Sequence, residues 1–133
     1  MSNSSEGSLN QQAKCSCQGG TLDKLLQPQI LTILASQNLH GYRIIHELEI
    51  RKMIHGDKID RTGVYRTLKH LEQKNLIAAE WDVNGTGAAK KIYRINPSGQ
   101  TCLKNWIETL ETYQNTIAGI LSEARRTIDP SSK

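Results

Sequence analysis

The chain has 133 residues, of which 37% are hydrophobic and 5% aromatic, with no Phe. Lys and Arg number 17 against 13 Asp and Glu, a net charge of +4 and an isoelectric point near 9.1. These figures fit one domain with an appended segment and a core of Leu and Ile, and they exclude a helical membrane span, because no apolar run approaches the ~18–20 residues that one needs.

Residues 1–21 are rich in Ser, Gln, Asn and Gly, hold one Leu and have no apolar rhythm. They read as a flexible tail. Met1 to Lys14 shows no signal-peptide pattern, so a cytoplasmic location is expected. The three cysteines, two of them separated by a single residue, make no disulfide framework.

From Leu22 onward the pattern changes. Leu25, Leu26, Ile30, Ile33 and Leu34 recur at helical spacing, and Pro28 is tolerable in a first turn. Ser36-Gln37-Asn38 ends this helix. A second is expected from about His40-Gly41-Tyr42 to Met53, with Ile44, Ile45 and Leu48 inward. The third is the best signalled. Asp60 is a good N-cap whose carboxylate can accept from free first-turn N–H groups. Val64, Leu68 and Leu71 then form one apolar stripe, and Lys74-Asn75 closes the helix. Gly63, near its start, implies that something approaches the backbone closely.

Two strand-like runs follow, Leu76 to Val83 and Lys91 to Asn96, with alternation at Ile77, Ala79, Trp81 and Val83. The turn formers of Asn84 to Ala89 between them predict a β-hairpin with a long tip. After Pro97-Ser98-Gly99, the residues Leu103, Trp106, Leu110, Tyr113, Ile117, Ile120 and Ala124 keep an a/d heptad rhythm. Ile107 and Leu121 widen this stripe. The preceding short helices are too few to cover it, so a second copy of the chain is the expected cover; packing within one chain is the alternative.

Residues 57–94 hold eight Lys and Arg against five Asp and Glu, which places three of the four net positive charges on the third helix and the hairpin. The helix sorts its side chains by face. Thr62, Tyr65, Arg66, Lys69 and Gln73 lie opposite the apolar stripe, with Arg61 near the N-terminal end. Long cationic donors and hydroxyls on one helix face suit a DNA major groove; an ordinary solvated face is the alternative. Lys90 and Lys91 after the Gly-rich tip are placed to follow a phosphate backbone. Helix–helix–helix–hairpin is the element order of a winged helix.

The stretch from about Leu25 to Glu111 resembles the PadR family of transcriptional regulators. The matching segments are Leu39-His40-Gly41-Tyr42, then Gly63 to Glu72, then Leu76-Ile77, and Lys91-Ile92-Tyr93-Arg94-Ile95 with Gly99 shortly after. The resemblance implies a winged helix, a long C-terminal dimerisation helix, mostly repressor activity, and in some members an aromatic ligand between the dimer helices. His40 and Tyr42 are also expected in the DNA-contact set. Members commonly carry Ser-Pro-Gly-Thr where this chain has Asp60-Arg61-Thr62-Gly63, so base preference does not carry over. Ala89 and Lys90 stand where arginines are common.

Cys15-Ser16-Cys17 is a candidate for a soft metal or for thiol oxidation, but its spacing is tighter than that of structural zinc sites. Cys102, His40 or His55 would have to complete it. His46-Glu47 opens like H-E-x-x-H, but position 50 is Ile. Gly85-x-Gly87 lacks the rest of a phosphate loop. No catalytic constellation stands out.

The chain therefore reads as an α+β, mainly α, winged helix-turn-helix with a two-stranded β-wing and a long C-terminal dimerisation helix. The divisions are 1–21, a tail; 22–97, the winged helix; 98–128, the dimerisation helix; and 129–133, a disordered end. The expected partners are double-stranded DNA with a pseudo-palindromic operator, a second copy through Leu103, Trp106, Leu110, Tyr113, Ile117 and Ile120, and a small aromatic effector at Trp106. Neither a membrane nor a cofactor is expected, the Cys15 and Cys17 metal ion aside. The second reading is a metal- or redox-sensing adaptor that uses those cysteines and protein contacts.

Overall fold

The computed structural model describes residues 25–51, 59–83 and 90–129. The tail with Cys15 and Cys17, His55, the hairpin tip and residues 130–133 lie outside them. The element order is α1 (Leu26–Ser36), β1 (Leu39–His40), α2 (Gly41–Arg51), α3 (Arg61–Gln73), β2 (Ile77–Asp82), β3 (Lys90–Ile95) and α4 (Pro97–Ile128).

α1 is the central helix. Ile30, Leu31, Ile33 and Leu34 are all buried, against Ile44, Ile45 and Leu48 of α2, Val64, Leu68 and Leu71 of α3, and Ile77 and Tyr93 of the sheet. Leu31 joins the expected stripe because α1 is enclosed on several sides. Pro28 does fall in the first turn.

α3 begins as expected after Asp60, but the cap works differently. No side-chain hydrogen bond caps the helix. Instead the Asp60 carboxylate leans over Gly63, where an added Cβ would lie 2.8 Å from Oδ2. The close neighbour anticipated at Gly63 is thus the cap residue itself. At the other end, Asn75 takes a left-handed φ of 63°. The Asn75 N–H donates to Glu72 O at 2.9 Å, and the Leu76 N–H to Leu71 O at 3.0 Å. This pair of bonds is a Schellman closure, with Asn in the position more often held by Gly.

The sheet has three strands, not two, in the order β1-β3-β2 and antiparallel throughout. β1 contributes two residues, paired as Leu39↔Tyr93 and His40↔Ile92. Along β2 the expected alternation fades. Ile77 is buried, whereas Trp81 is 62% exposed, because the helices cover only the base of the hairpin.

α4 is 32 residues long, ~48 Å at ~1.5 Å per residue. Pro97 occupies its first turn, where the missing N–H has no partner to lose. Cys102, Leu103 and Trp106 pack against the core. From Glu111 to Asp129 every residue is exposed. Part of the predicted seam, Leu103 and Trp106, is therefore partly covered by the chain's own core, since the first turns of α4 lie on α1. Leu110 is half-buried, and Tyr113, Ile117, Ile120 and Leu121 carry the stripe onward in the open.

Candidate nucleic-acid interface

The burial of Val64, Leu68 and Leu71 fixes the rotation of α3, so the opposite face must point outward. Arg61, Thr62, Tyr65, Arg66, Lys69 and His70 are all exposed. Arg61, Arg66 and Lys69 form no ion pair with any of the described residues. Three nearby carboxylates are occupied elsewhere. Glu72 Oε1 lies 3.7 Å from Lys91 Nζ, Glu80 pairs with Arg94, and Asp82 Oδ2 lies 3.1 Å from His40 Nε2. These three carboxylates are thus engaged with the sheet, and Arg61, Arg66 and Lys69 make the outer face of α3 cationic.

Tyr65 is only partly outward. Its ring covers Gly41, where an added Cβ would meet Cε1 at 2.6 Å and the hydroxyl at 3.1 Å. Behind it, Tyr93 is 6% exposed. Its phenol is raised above the usual 10.0 by burial first, then by the negative charge of Glu72 and by Tyr65.

The two wing lysines, adjacent in sequence, part company in space. Successive residues of a strand point to opposite faces. Lys91 shares the helix-side face with Tyr93, and its ammonium sits between Glu72 and the Trp81 ring, 5.7 Å from the ring centroid. Lys90 takes the other face, its Nζ 5.0 Å from the centroid of the Tyr42 ring. Tyr42 in turn stacks on His40, centroids 5.6 Å apart. His40 and Tyr42 therefore contact the wing as well as flanking α3.

Two open clefts border this surface. One is lined by Tyr42, Arg43, Ile45, His46, Glu49 and Arg61; the other, on the sheet, by Asn38, Glu80, Trp81, Asp82, Val83, Ile92 and Arg94. Trp106 lines neither. The first brings Arg43 and His46 of α2 beside Arg61 of α3. The sequence offered a signal for this in the outward spacing of Arg43 and His46, opposite Ile44, Ile45 and Leu48. It was hidden by the uncertain start of α2. Among the described residues, no group of three or more His, Cys, Asp or Glu is arranged to hold a metal ion.

The family model described as the transcriptional regulator PadR-like family matches residues 30–105, from the middle of α1 through the wing to the first turns of α4. The chain belongs to that family. No curated protein matches this PadR-like chain. Solved structures do. A transcriptional regulator from Clostridium thermocellum superposes with a TM-score of 0.66 at 23% identity, over 74% of this chain and 92% of that one. A PadR family transcription regulator from Clostridium difficile gives 0.61 at 21%, over 72% and 97%. Bacillus subtilis PadR, solved in complex with operator DNA, gives 0.56 at 26% identity, over 62% of this chain and 45% of that one. The PadR-like winged helix is thus shared, and no described helix is long and apolar enough to cross a membrane.

Proposed function

We propose that the chain is a homodimeric, sequence-specific DNA-binding regulator that represses transcription and responds to a small aromatic ligand. The observation that carries the DNA reading is the sorting of charge. Glu72, Glu80 and Asp82 are engaged by Lys91, Arg94 and His40, while the cations of the α3 outer face keep no acidic partner among the described residues. In this reading α3 enters the major groove, Arg66 reads a base edge, and Thr62 and Lys69 hold phosphates. Lys90 tracks the backbone beside the groove.

A dimer is supported by the apolar stripe of α4, with Ile117 60% and Ile120 64% exposed. Two modules about a two-fold axis bind half-sites ~34 Å, or a multiple, apart. A planar ligand against Trp106 shifts their relative angle only by binding one arrangement better than the other.

Selection of binding sites from a random duplex pool tests the reading. The expected product is a pseudo-palindrome. Arg66→Ala then weakens the selected site by about 1–3 kcal/mol relative to random DNA. Enrichment of no sequence rejects specific recognition.

A further inference from the structure

Three consecutive residues at the β1–α2 junction each reach a different element. His40 Nε2 lies 3.1 Å from Asp82 Oδ2 on β2. Gly41 lies under the Tyr65 ring of α3, where a Cβ would fit only if the ring moved. The Tyr42 ring meets Lys90 of β3 at 5.0 Å and stacks on His40, inclined by 23°. We propose that His40-Gly41-Tyr42 is a positioning joint, which fixes the wing against α3 so that Lys90 and the cations of α3 meet one duplex together. This rests on the DNA reading above, and it goes beyond that reading by giving His40 and Tyr42 an indirect role in place of direct contact.

The need for such a joint follows from the packing. The hairpin touches the helical layer mainly at its base, through Ile77, Tyr93 and the Lys91–Glu72 pair. A two-stranded hairpin is marginal alone, and β1 reinforces it with only two backbone-paired residues. The side chains of His40 and Tyr42 extend that attachment toward the tip, to the last residue of β2 and the first of β3. Both leave directly from the peptide that starts α2, and Tyr65 presses on the residue between them. A shift of α3 at Tyr65 is thereby felt at the wing.

The chemistry separates positioning from contact. Stacking and cation–π attraction belong to the Tyr42 ring, whereas a DNA phosphate would be bound by the Tyr42 hydroxyl. The experiment measures two quantities on the full-length protein. The first is amide hydrogen exchange across Lys90–Tyr93 without DNA. The second is affinity for a duplex enriched by wild-type protein. Tyr42→Ala is expected to speed wing exchange and to weaken binding by about three- to fivefold, the scale of one exposed cation–π contact. Tyr42→Phe is expected to change neither, and His40→Ala to speed exchange. Should Tyr42→Ala fail to fold, Lys90→Met, at an exposed site, tests the same contact and is expected to speed exchange too.

Equal loss of affinity in Tyr42→Phe and Tyr42→Ala, with exchange unchanged, would place the hydroxyl on the DNA and overturn the joint. Wild-type protein that enriches no duplex would reject the DNA reading instead. The exchange measurement stands without DNA, and unchanged exchange in all the variants overturns the joint in either case.

Discussion

The carbonyl oxygen of Leu76 lies against Gly99, so closely that a Cβ on Gly99 would sit 2.1 Å away. The same oxygen accepts the Asn96 N–H at 2.9 Å, so neither backbone segment is free to retreat. Gly99→Ala is therefore expected to cost about 3 kcal/mol, at the upper end of overpacking. In Gly41→Ala the three atoms nearest the added Cβ all belong to Tyr65, a side chain that is 45% exposed and able to swing away. It is expected to change stability by no more than about 1 kcal/mol, with gained helix propensity offsetting the displaced ring. Urea denaturation of the two variants checks the contrast. Equal effects would contradict it.

The two wing lysines give a second test. Lys90→Ala is expected to lower the slope of log K against log salt by about one unit. Lys91→Ala is expected to leave the slope nearly unchanged, because its ammonium is held by Glu72 and Trp81. Binding titrations at several salt concentrations read both. Equal slopes for the two variants would remove the distinction between the faces of β3.

Ile117→Glu places a charge in the middle of the open stripe of α4 without touching the core. Its expected product is a monomer in sedimentation, with helical content otherwise kept. A dimer that persists would move the interface elsewhere on the chain.

Tyr93 predicts the alkaline limit of stability. Burial, then Glu72 and Tyr65, raise its folded pKa above 10.0. The unfolded chain therefore loses this proton first. The contribution of Tyr93 is complete below about pH 10 and is lost as pH rises through the folded pKa. Tyr93→Phe cannot ionise, and its stability is expected to fall less steeply above pH 10. Identical alkaline denaturation curves would remove Tyr93 from that limit.

The sequence made some of this plain and concealed the rest for definite reasons. Val64, Leu68 and Leu71 were legible because the helical period and the buried stripe coincide, and with them the outward face of α3. β1 was not: two residues make no period, and Leu39 finds its partner Tyr93 far along the chain. Asp60 had the right chemistry for a cap, but the choice between capping N–H groups and leaning on Gly63 is one of rotamer. Lys90-Lys91 looked like one basic cluster, although strand alternation alone separates the pair once the strand is known to include both. The heptad rhythm of α4 identified an apolar stripe correctly, yet periodicity does not say what covers each part of it, and Leu103 and Trp106 are partly covered from within.

The tie between the end of α3 and the start of α4 has a mechanical consequence. Asn96 Nδ2 and Ser98 Oγ both donate to Asn75 O, at 3.1 Å each, beside the Leu76 carbonyl that seats Gly99. The first turn of α4 is thereby clamped to the closing turn of α3. A rigid helix ~48 Å long is a lever about that clamp: a tilt of roughly 5° moves its far end by roughly 4 Å. In reverse, a small displacement along the exposed length of α4 arrives at α3 as a rotation, with the mechanical advantage on the side of the long arm.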